Sequence, residues 1–303
     1  MKRKVTLPEC NCTREQHVIN DSASSIATEA PALSLCSEHS GNRGYHQKVV
    51  SFSYFGDEES ELSQTRGYLR HIKTNLEAIK EFYPGWTIRI YHDIPKGDKR
   101  RMDFMCDLAC TNPELDMCAV EDIPNLGNVK HMYPIAWRFL AMLDPMVDLM
   151  LSRDLDTVIS HREVVAVEKW LDSKKSCHII RDHPFHFFPI MGGTFGVQKF
   201  SKEDFDMIES TFWLAMTDPL FWAPYHSYGH DQILLKKYFW PWFKIHNLSH
   251  DAYHCEKFPH TKPFVTKRPS TPRNYIGGKI AENITLDVPC PYACRFDPTW
   301  MFC

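Results

Sequence analysis

Hydrophobic and polar positions fall in blocks along the middle of the chain, and the blocks read as alternating strands and helices. Val49-Val-Ser-Phe-Ser-Tyr-Phe55 is a β-branched and aromatic run ended by Gly56, which predicts a first strand. Leu69, Ile72, Leu76, Ile79 and Phe82 recur at steps of three and four, the period of an amphipathic helix, and Tyr83-Pro-Gly85 stops it. Trp86, Ile88 and Ile90 predict a second strand, residues 97–110 a second helix and Met117–Val120 a short third strand. Residues 129–143 read as helical in spite of Pro134, and Met146–Leu151 as the next strand. Ser160-x-x-Glu163 is a capping box ahead of Val164, Val165, Val167 and Leu171. His178–Ile180 predicts a further strand. A second apolar stretch, Phe187–Met191, breaks at Gly192-Gly193 before Thr194–Val197. Ser201-x-x-Asp204 opens a helix over 203–216, and Ile233–Tyr238 reads as helical too. Strands that alternate with helices predict an α/β fold with a mostly parallel central sheet flanked by helices. The first strand is followed by no G-x-G-x-x-G, which excludes a dinucleotide fingerprint.

Residues 1–45 are polar, Ser/Thr-rich and aperiodic, the pattern of a disordered or stem-like tail. Residues 46–278 are expected to form a single domain and residues 279–303 a Cys-containing C-terminal tail. Hydrophobic residues make up 43% of the 303, enough for a sizeable core, and a formal charge of −3 excludes nucleic acid as the main partner. No run approaches the 18 apolar residues of a membrane span.

Eleven Cys change the picture of the compartment. Cys10, Cys12 and Cys36 lie near the start, and Cys290, Cys294 and Cys303 near the end. No C-x2-C pair suits zinc, so disulfides are the expected use, with at least one Cys left over. Asn11, Asn20, Asn247 and Asn283 each begin an N-x-S/T sequon. These features predict the lumen of the secretory pathway (ER or Golgi) or the extracellular space. Met1-Lys-Arg-Lys4 is basic but no apolar signal core follows it, which keeps a cytoplasmic location open.

The candidate chemistry centres on Asp154-Leu-Asp156, where an apolar strand runs out into a loop. Two carboxylates at that spacing can hold a hard divalent cation, and the cation can hold a diphosphate. Asp204-Phe-Asp206 has the same spacing and serves as an internal control: it falls in the first turn of a capped helix, where carboxylates favour the helix dipole. Gly192-Gly193 would admit a close backbone approach, or form a simple turn. Asp231-Gln232 opens a helical stretch and could be caps alone. His226/His230 and His246/His250/His254 have the i,i+4 spacing of zinc ligands on a helix, without an H-E-x-x-H arrangement. Phe239-Trp-Pro-Trp-Phe243 suits core packing or an acceptor sugar.

The order of these features resembles the GT-A superfamily of nucleotide-sugar glycosyltransferases, most closely the glycogenin and bacterial galactosyltransferase group, across residues 48–265. The chain also resembles animal proteins that share R-D-L-D, R-D-H-P and H-D-x-Y segments. The resemblance implies a single GT-A-like, Rossmann-type domain and a hexosyl transfer from a nucleotide sugar, with UDP-sugar favoured, to a glycan, protein or lipid acceptor. Asp154, Asp156 and His250 would hold Mn2+, or Mg2+. Phe52 to Phe55, at the end of the first strand and with Phe52 and Tyr54 foremost, would flank the base, and Arg138 and Arg153 would pair with phosphate or donor sugar. Gly192 and Gly193 would let the sugar lie against backbone. Asp182 would bond donor hydroxyls, and Asp231 and Gln232 would line the anomeric face. Arg153, standing where the family has an apolar residue, and the His–Lys-Pro spacing depart from the pattern. A retaining outcome follows from Asp231-Gln232; an inverting one would need Asp182 or Asp231 as general base. The alternatives are a metal-dependent phosphatase or hydrolase, and a non-catalytic sugar-binding protein with the same fold.

Overall fold

The computed structural model describes residues 2–19, 33–56, 68–218, 229–270, 274–279 and 285–303. Its centre is a seven-stranded sheet built from β3 (Gln47–Tyr54), β4 (Thr87–His92), β5 (Leu115–Ala119), β6 (Val147–Arg153), β7 (Cys177–Arg181), β8 (Thr194–Gln198) and β9 (Asn247–Asp251). The order across the sheet is β5-β4-β3-β6-β8-β7-β9. β3 pairs in parallel with β4 and β6, β4 with β5, and β7 with β9, whereas β8 is antiparallel to both β6 and β7. The expected mostly parallel α/β sheet is therefore present, with β8 the one strand reversed.

Both faces of the sheet are covered, which is why its strands are apolar almost throughout rather than alternating. Val50, Phe52, Tyr54, Ile88 and Ile90 point to the face occupied by the helices Tyr68–Phe82, Lys99–Thr111 and His161–Ser173. Val49, Tyr91, Met150, Ile179 and Phe195 point to the other face, against the segments Pro134–Leu143, Lys202–Met216 and His230–His246. Helix starts follow the sequence signals. Ser160 Oγ accepts from Glu163 N, and Ser201 Oγ accepts from Asp204 N while the Asp204 carboxylate accepts from Phe200 N. The helical stretch expected from residue 129 begins at Pro134, as a 3-10 segment, because proline has no N–H to give and suits a first turn. Ile233–Tyr238 is part of a longer helical run, His230–His246, with a π-helical turn at Leu235–Phe239.

Two expectations fail here. His250 and its i,i+4 neighbours do not share a helix, since Asn247–Asp251 is strand β9, and His226 lies outside the described residues. The polar start is no structureless tail: β1 (Lys2–Leu7) and β2 (Cys12–His17) form an antiparallel hairpin. Disulfides Cys10–Cys106 and Cys12–Cys110 fasten this region to the helix Lys99–Thr111, and Cys36–Cys118 fastens it to β5. Arg14 and Arg43 add a buried pairing with Asp116 of β5, at 3.0 and 2.7 Å. Polarity misled because covalent links and ion pairs replace the apolar face that such a segment otherwise needs. The C-terminal tail is pinned, as expected, by Cys255–Cys294 and Cys290–Cys303, and Cys177 is the unpaired cysteine, buried in β7. Five disulfides fit an oxidising compartment such as the secretory lumen or the cell exterior. Among the described residues no helix is long and apolar enough to cross a membrane.

Candidate functional site

The chain leaves β3 outward through β4 and β5, then returns to β6 on the opposite side of β3. The carboxyl ends of β3 and β6 thus frame the point at which strand order reverses, where open α/β sheets bind ligands. A cleft of about 760 Å³ opens there, within the usual size of a small-molecule site. Its walls include Asp154, Asp156, Arg138, Asp231, Gln232, Gly193 and Lys279.

The Asp154–Asp156 loop is tightly held. Thr157 closes the turn through its N and Oγ1 to the Asp154 carbonyl, at 3.2 and 2.9 Å, and Asn75 Nδ2 holds the Leu155 carbonyl at 3.0 Å. Behind it, Ser152 Oγ donates to the Gly192 carbonyl at 2.6 Å. Arg138, in the 3-10 segment, joins the cluster: its Nη1 donates to Asp154 Oδ1 at 2.5 Å and its Nη2 to Asp231 Oδ2 at 3.2 Å. Asp231 is set by the helix His230–Leu234, whose N-cap Gly229 has φ 84°.

Gly192 and Gly193 make this convergence possible. A Cβ on Gly192 would sit 1.9 Å from Asp231 Oδ2, and one on Gly193 would sit 1.9 Å from Asp154 Oδ2. The glycines therefore admit two carboxylates against the backbone, whatever else they admit.

Burial raises the Asp231 carboxyl above its ordinary pKa; Arg138 opposes this and the charge on Asp154 reinforces it. Burial likewise raises Asp156, helped by Asp154 and opposed by Lys279, whose Nζ is 3.7 Å away. Three carboxylates face two cations in the lining, so the cleft carries an excess of negative charge. A divalent cation would offset it. Among the described residues no three His, Cys, Asp or Glu groups converge as ligands. Two carboxylates nonetheless fit Mg2+ or Mn2+ when a diphosphate and water complete the shell.

Several expected site residues lie elsewhere. Phe52 and Tyr54 point to the opposite face of β3, into the core; Ser53 and Phe55, of the other parity, line the cleft. Arg153 is buried against Glu163, with Nε donating to Oε1 at 2.6 Å, and its Nη1 donates to the Ser152 and Phe195 carbonyls. It has no access to a phosphate. Asp182 is wholly buried and saturated: Arg162 reaches it at 2.9 and 3.0 Å, Arg268 at 2.6 Å and Ile276 N at 3.0 Å. Burial pushes its pKa up, but Arg162 and Arg268 outweigh that and hold it low. It clamps the segment carrying Tyr275 and Gly277 to the sheet and is no base. His250 sits on β9, three strands from β6, with Nδ1 2.9 Å from His178 Nε2 and no place in the cleft lining. Burial depresses it to about 4, as expected of a neutral core imidazole.

Other lining residues had no sequence signal. His186 is one. Its Nδ1 accepts from Asp182 N at 3.2 Å, so in the neutral ring the proton is on Nε2. A metal-binding imidazole has the reverse arrangement, donating from its second nitrogen, so His186 offers the cleft an N–H and not a ligand. Burial, with His183, lowers its pKa to about 4 and keeps it neutral. Gln232 Oε1 is buried and bonds to no described residue. Phe185 and Phe187, 75% and 47% exposed, leave bare aromatic rings at the rim. The control pair, Asp204 and Asp206, is far from this chemistry: Asp204 caps its helix and Asp206 pairs with Lys202 at 2.6 Å. Compared with models of known protein families and with curated proteins, the sequence matches none.

Proposed function

We propose that the chain is a metal-dependent glycosyltransferase of GT-A type, moving a sugar from a nucleotide diphosphate sugar, UDP-sugar first, to an acceptor. The observation that carries this reading is Arg138 held between Asp154 and Asp231 at the strand-order reversal, in a cleft of nucleotide-sugar size that Asp156 also lines.

Asp154 and Asp156 would hold Mn2+ or Mg2+. Bound there, the ion neutralises the diphosphate and lowers the barrier to its departure. Arg138, already offering two N–H groups to carboxylates, exchanges one of them for a phosphate oxygen. Phe55 meets Trp137 edge-on at 6.1 Å and, with Tyr68, supplies the flat apolar surface for a base. His186 donates its Nε2–H to a donor oxygen. Gln232 Oε1 accepts from a sugar hydroxyl, which satisfies a buried oxygen that bonds to no described residue.

Asp231 lines the cleft, where its negative charge would stabilise positive charge developing at the anomeric carbon. With Asp182 fully engaged, Asp231 is also the one of the two considered carboxylates that can act as general base, and its raised pKa suits that task. Phe185 and Phe187 at the rim give an acceptor a surface to rest on.

The test is a thermal-shift series with UDP and GDP, with and without Mn2+ or Mg2+, followed by assay of nucleotide release from UDP-sugars. A nucleotide that binds the native state raises its melting temperature by mass action. Asp154→Asn with Asp156→Asn should abolish metal-dependent stabilisation, while Asp204→Asn with Asp206→Asn should retain it. Absence of any nucleotide effect in the presence of metal rejects the reading, as does equal loss in both double variants.

A further inference from the structure

Asn11 stands at the turn between β1 and β2, outside every contact discussed above. Its backbone is left-handed (φ 49°, ψ 40°) and its N–H donates to the Pro8 carbonyl at 3.3 Å. The residue is exposed, as is Thr13, which completes Asn11-Cys12-Thr13. The residues on either side, Cys10 and Cys12, are both fastened to the helix Lys99–Thr111. A doubly tethered turn thus presents a carboxamide to solvent. Asparagine suits the left-handed conformation, but so does glycine, and neither requires the hydroxyl two residues on.

The sequon Asn247-Leu248-Ser249 is the opposite case. Asn247 is half-buried at the end of the helix Trp240–His246. Its Nδ2 donates to the Phe243 and Lys244 carbonyls at 2.8 and 3.0 Å, and its Oδ1 accepts from Ser249 Oγ at 2.5 Å. Both amide hydrogens are in use, and they satisfy carbonyls that the helix end leaves open. An Nδ2 bearing a sugar has a single hydrogen and cannot make both bonds. The Asn20 and Asn283 sequons lie outside the described residues.

We propose that Asn11 carries an N-linked oligosaccharide and that Asn247 in the native molecule does not. In the transfer, Asn11 Nδ2 forms a bond to the anomeric carbon of an oligosaccharide carried on a lipid diphosphate. The bond from that carbon to the diphosphate oxygen breaks, the lipid diphosphate leaves with the electron pair, and the displaced amide proton passes to a base. The lipid-linked donor belongs to the same oxidising compartment that forms disulfides, so no additional setting is needed.

The position leaves the cleft open. β2 lies against the end of the helix that leads into β5, where Arg14 Nη1 donates to the Ala109 and Leu115 carbonyls, both at 2.6 Å. The other end of that helix reaches the cleft side, where Arg101 donates to the Gly56 carbonyl beyond β3. β1 and β2 also form a two-stranded sheet of their own, with outer edges that could template association. A hydrated glycan at the turn hinders such pairing.

The test directs the full chain into the secretory pathway of a eukaryotic cell and isolates the folded, monodisperse product. Peptide N-glycosidase in oxygen-18 water marks each occupied Asn as labelled Asp, read by peptide mass mapping. Asn11 should be labelled in most molecules and Asn247 unlabelled. Asn11→Gln should lose one glycan's mass, as should Thr13→Ala, which leaves the left-handed Asn11 in place, and Asn247→Gln should lose no mass at all. Unmodified Asn11 in folded secreted protein, or a glycan on Asn247 in that fraction, overturns the inference. Neither outcome depends on whether the cleft binds nucleotide.

Discussion

Replacing Gly193 with alanine adds one methyl group to the floor of the cleft, and the geometry specifies what must yield. The new Cβ would stand 1.9 Å from Asp154 Oδ2, against 3.4 Å for ordinary contact, so the carboxylate must retreat by about 1.5 Å. The obstacle is the end of a side chain and not backbone, so the fold can accommodate it. The expected change in unfolding free energy is about 1 kcal/mol, a few degrees in melting temperature. The site has less tolerance. Asp154 would leave its 2.5 Å contact with Arg138 and its station beside Asp156, and a misplacement of that size costs about 100-fold in function. Titration calorimetry of UDP in saturating Mn2+ should therefore show affinity weakened about 100-fold, roughly 2.8 kcal/mol. Gly97→Ala is the control, since nothing lies within 4 Å of its added Cβ, and it should bind as the parent chain does. Full-strength binding by Gly193→Ala would refute the steric argument. A collapse of its melting temperature would refute it differently, by making the glycine a structural requirement.

Asp182→Ala leaves Arg162 and Arg268 buried without their shared carboxylate and should destabilise the fold by about 3–5 kcal/mol, seen as a lower urea midpoint. Lost activity at unchanged stability would instead restore Asp182 as a catalytic group. His186→Ala removes one N–H from the cleft and should weaken UDP binding in Mn2+ about tenfold, the worth of a hydrogen bond to a charged group, besides a stability loss of about 1–3 kcal/mol from the Asp182 N–H left without its acceptor; undiminished affinity would exclude that role. His92 and His250 are each depressed to about 4, chiefly by burial, but titrate near 6.5 when unfolded. The unfolded chain then binds more protons between those values, so stability is full above pH 6.5 and falls towards pH 4, by about 3 kcal/mol for each histidine. Urea midpoints at intervals from pH 7 to 4.5 check this. His250→Asn should flatten the fall, and an identical slope in that variant would show that this imidazole is not the source.

Part of this molecule was legible from local pattern, because the pattern and the structure answer to the same short-range physics. Amphipathic period predicted the helix Tyr68–Phe82, and Ser160 and Ser201 predicted the starts of two more, since capping involves residues three apart in sequence. The same rule correctly set Asp204 aside as a helix-terminus residue, while Asp206, past the first turn, is held by Lys202. Parity within β3 was illegible. Ser51 and Ser53 alternate with Phe52 and Tyr54, but both faces of that strand are covered, so the alternation did not say which face meets the cleft, and Phe52 and Tyr54 were assigned to the wrong side. The zinc-like spacing of His246, His250 and His254 failed for a related reason, since a period of four is meaningless in a strand.

The sequence by itself determined the alternation of strands and helices, the loop position of Asp154 and Asp156, and the presence of more cysteine than a reduced protein needs. Tertiary structure alone decided the rest. It chose the partners: Asp182 with Arg162 and Arg268, Arg153 with Glu163, and Asp154 and Asp231 with Arg138. It also turned the polar first residues into a tethered hairpin and gave the glycine pair its purpose. The physical reason is the range of the forces concerned. Capping and period act over three or four residues and leave a local trace. The ion pair between Arg138 and Asp231 spans 93 positions, and the disulfide between Cys12 and Cys110 spans 98. Such contacts exist only once the sheet has brought the two segments together.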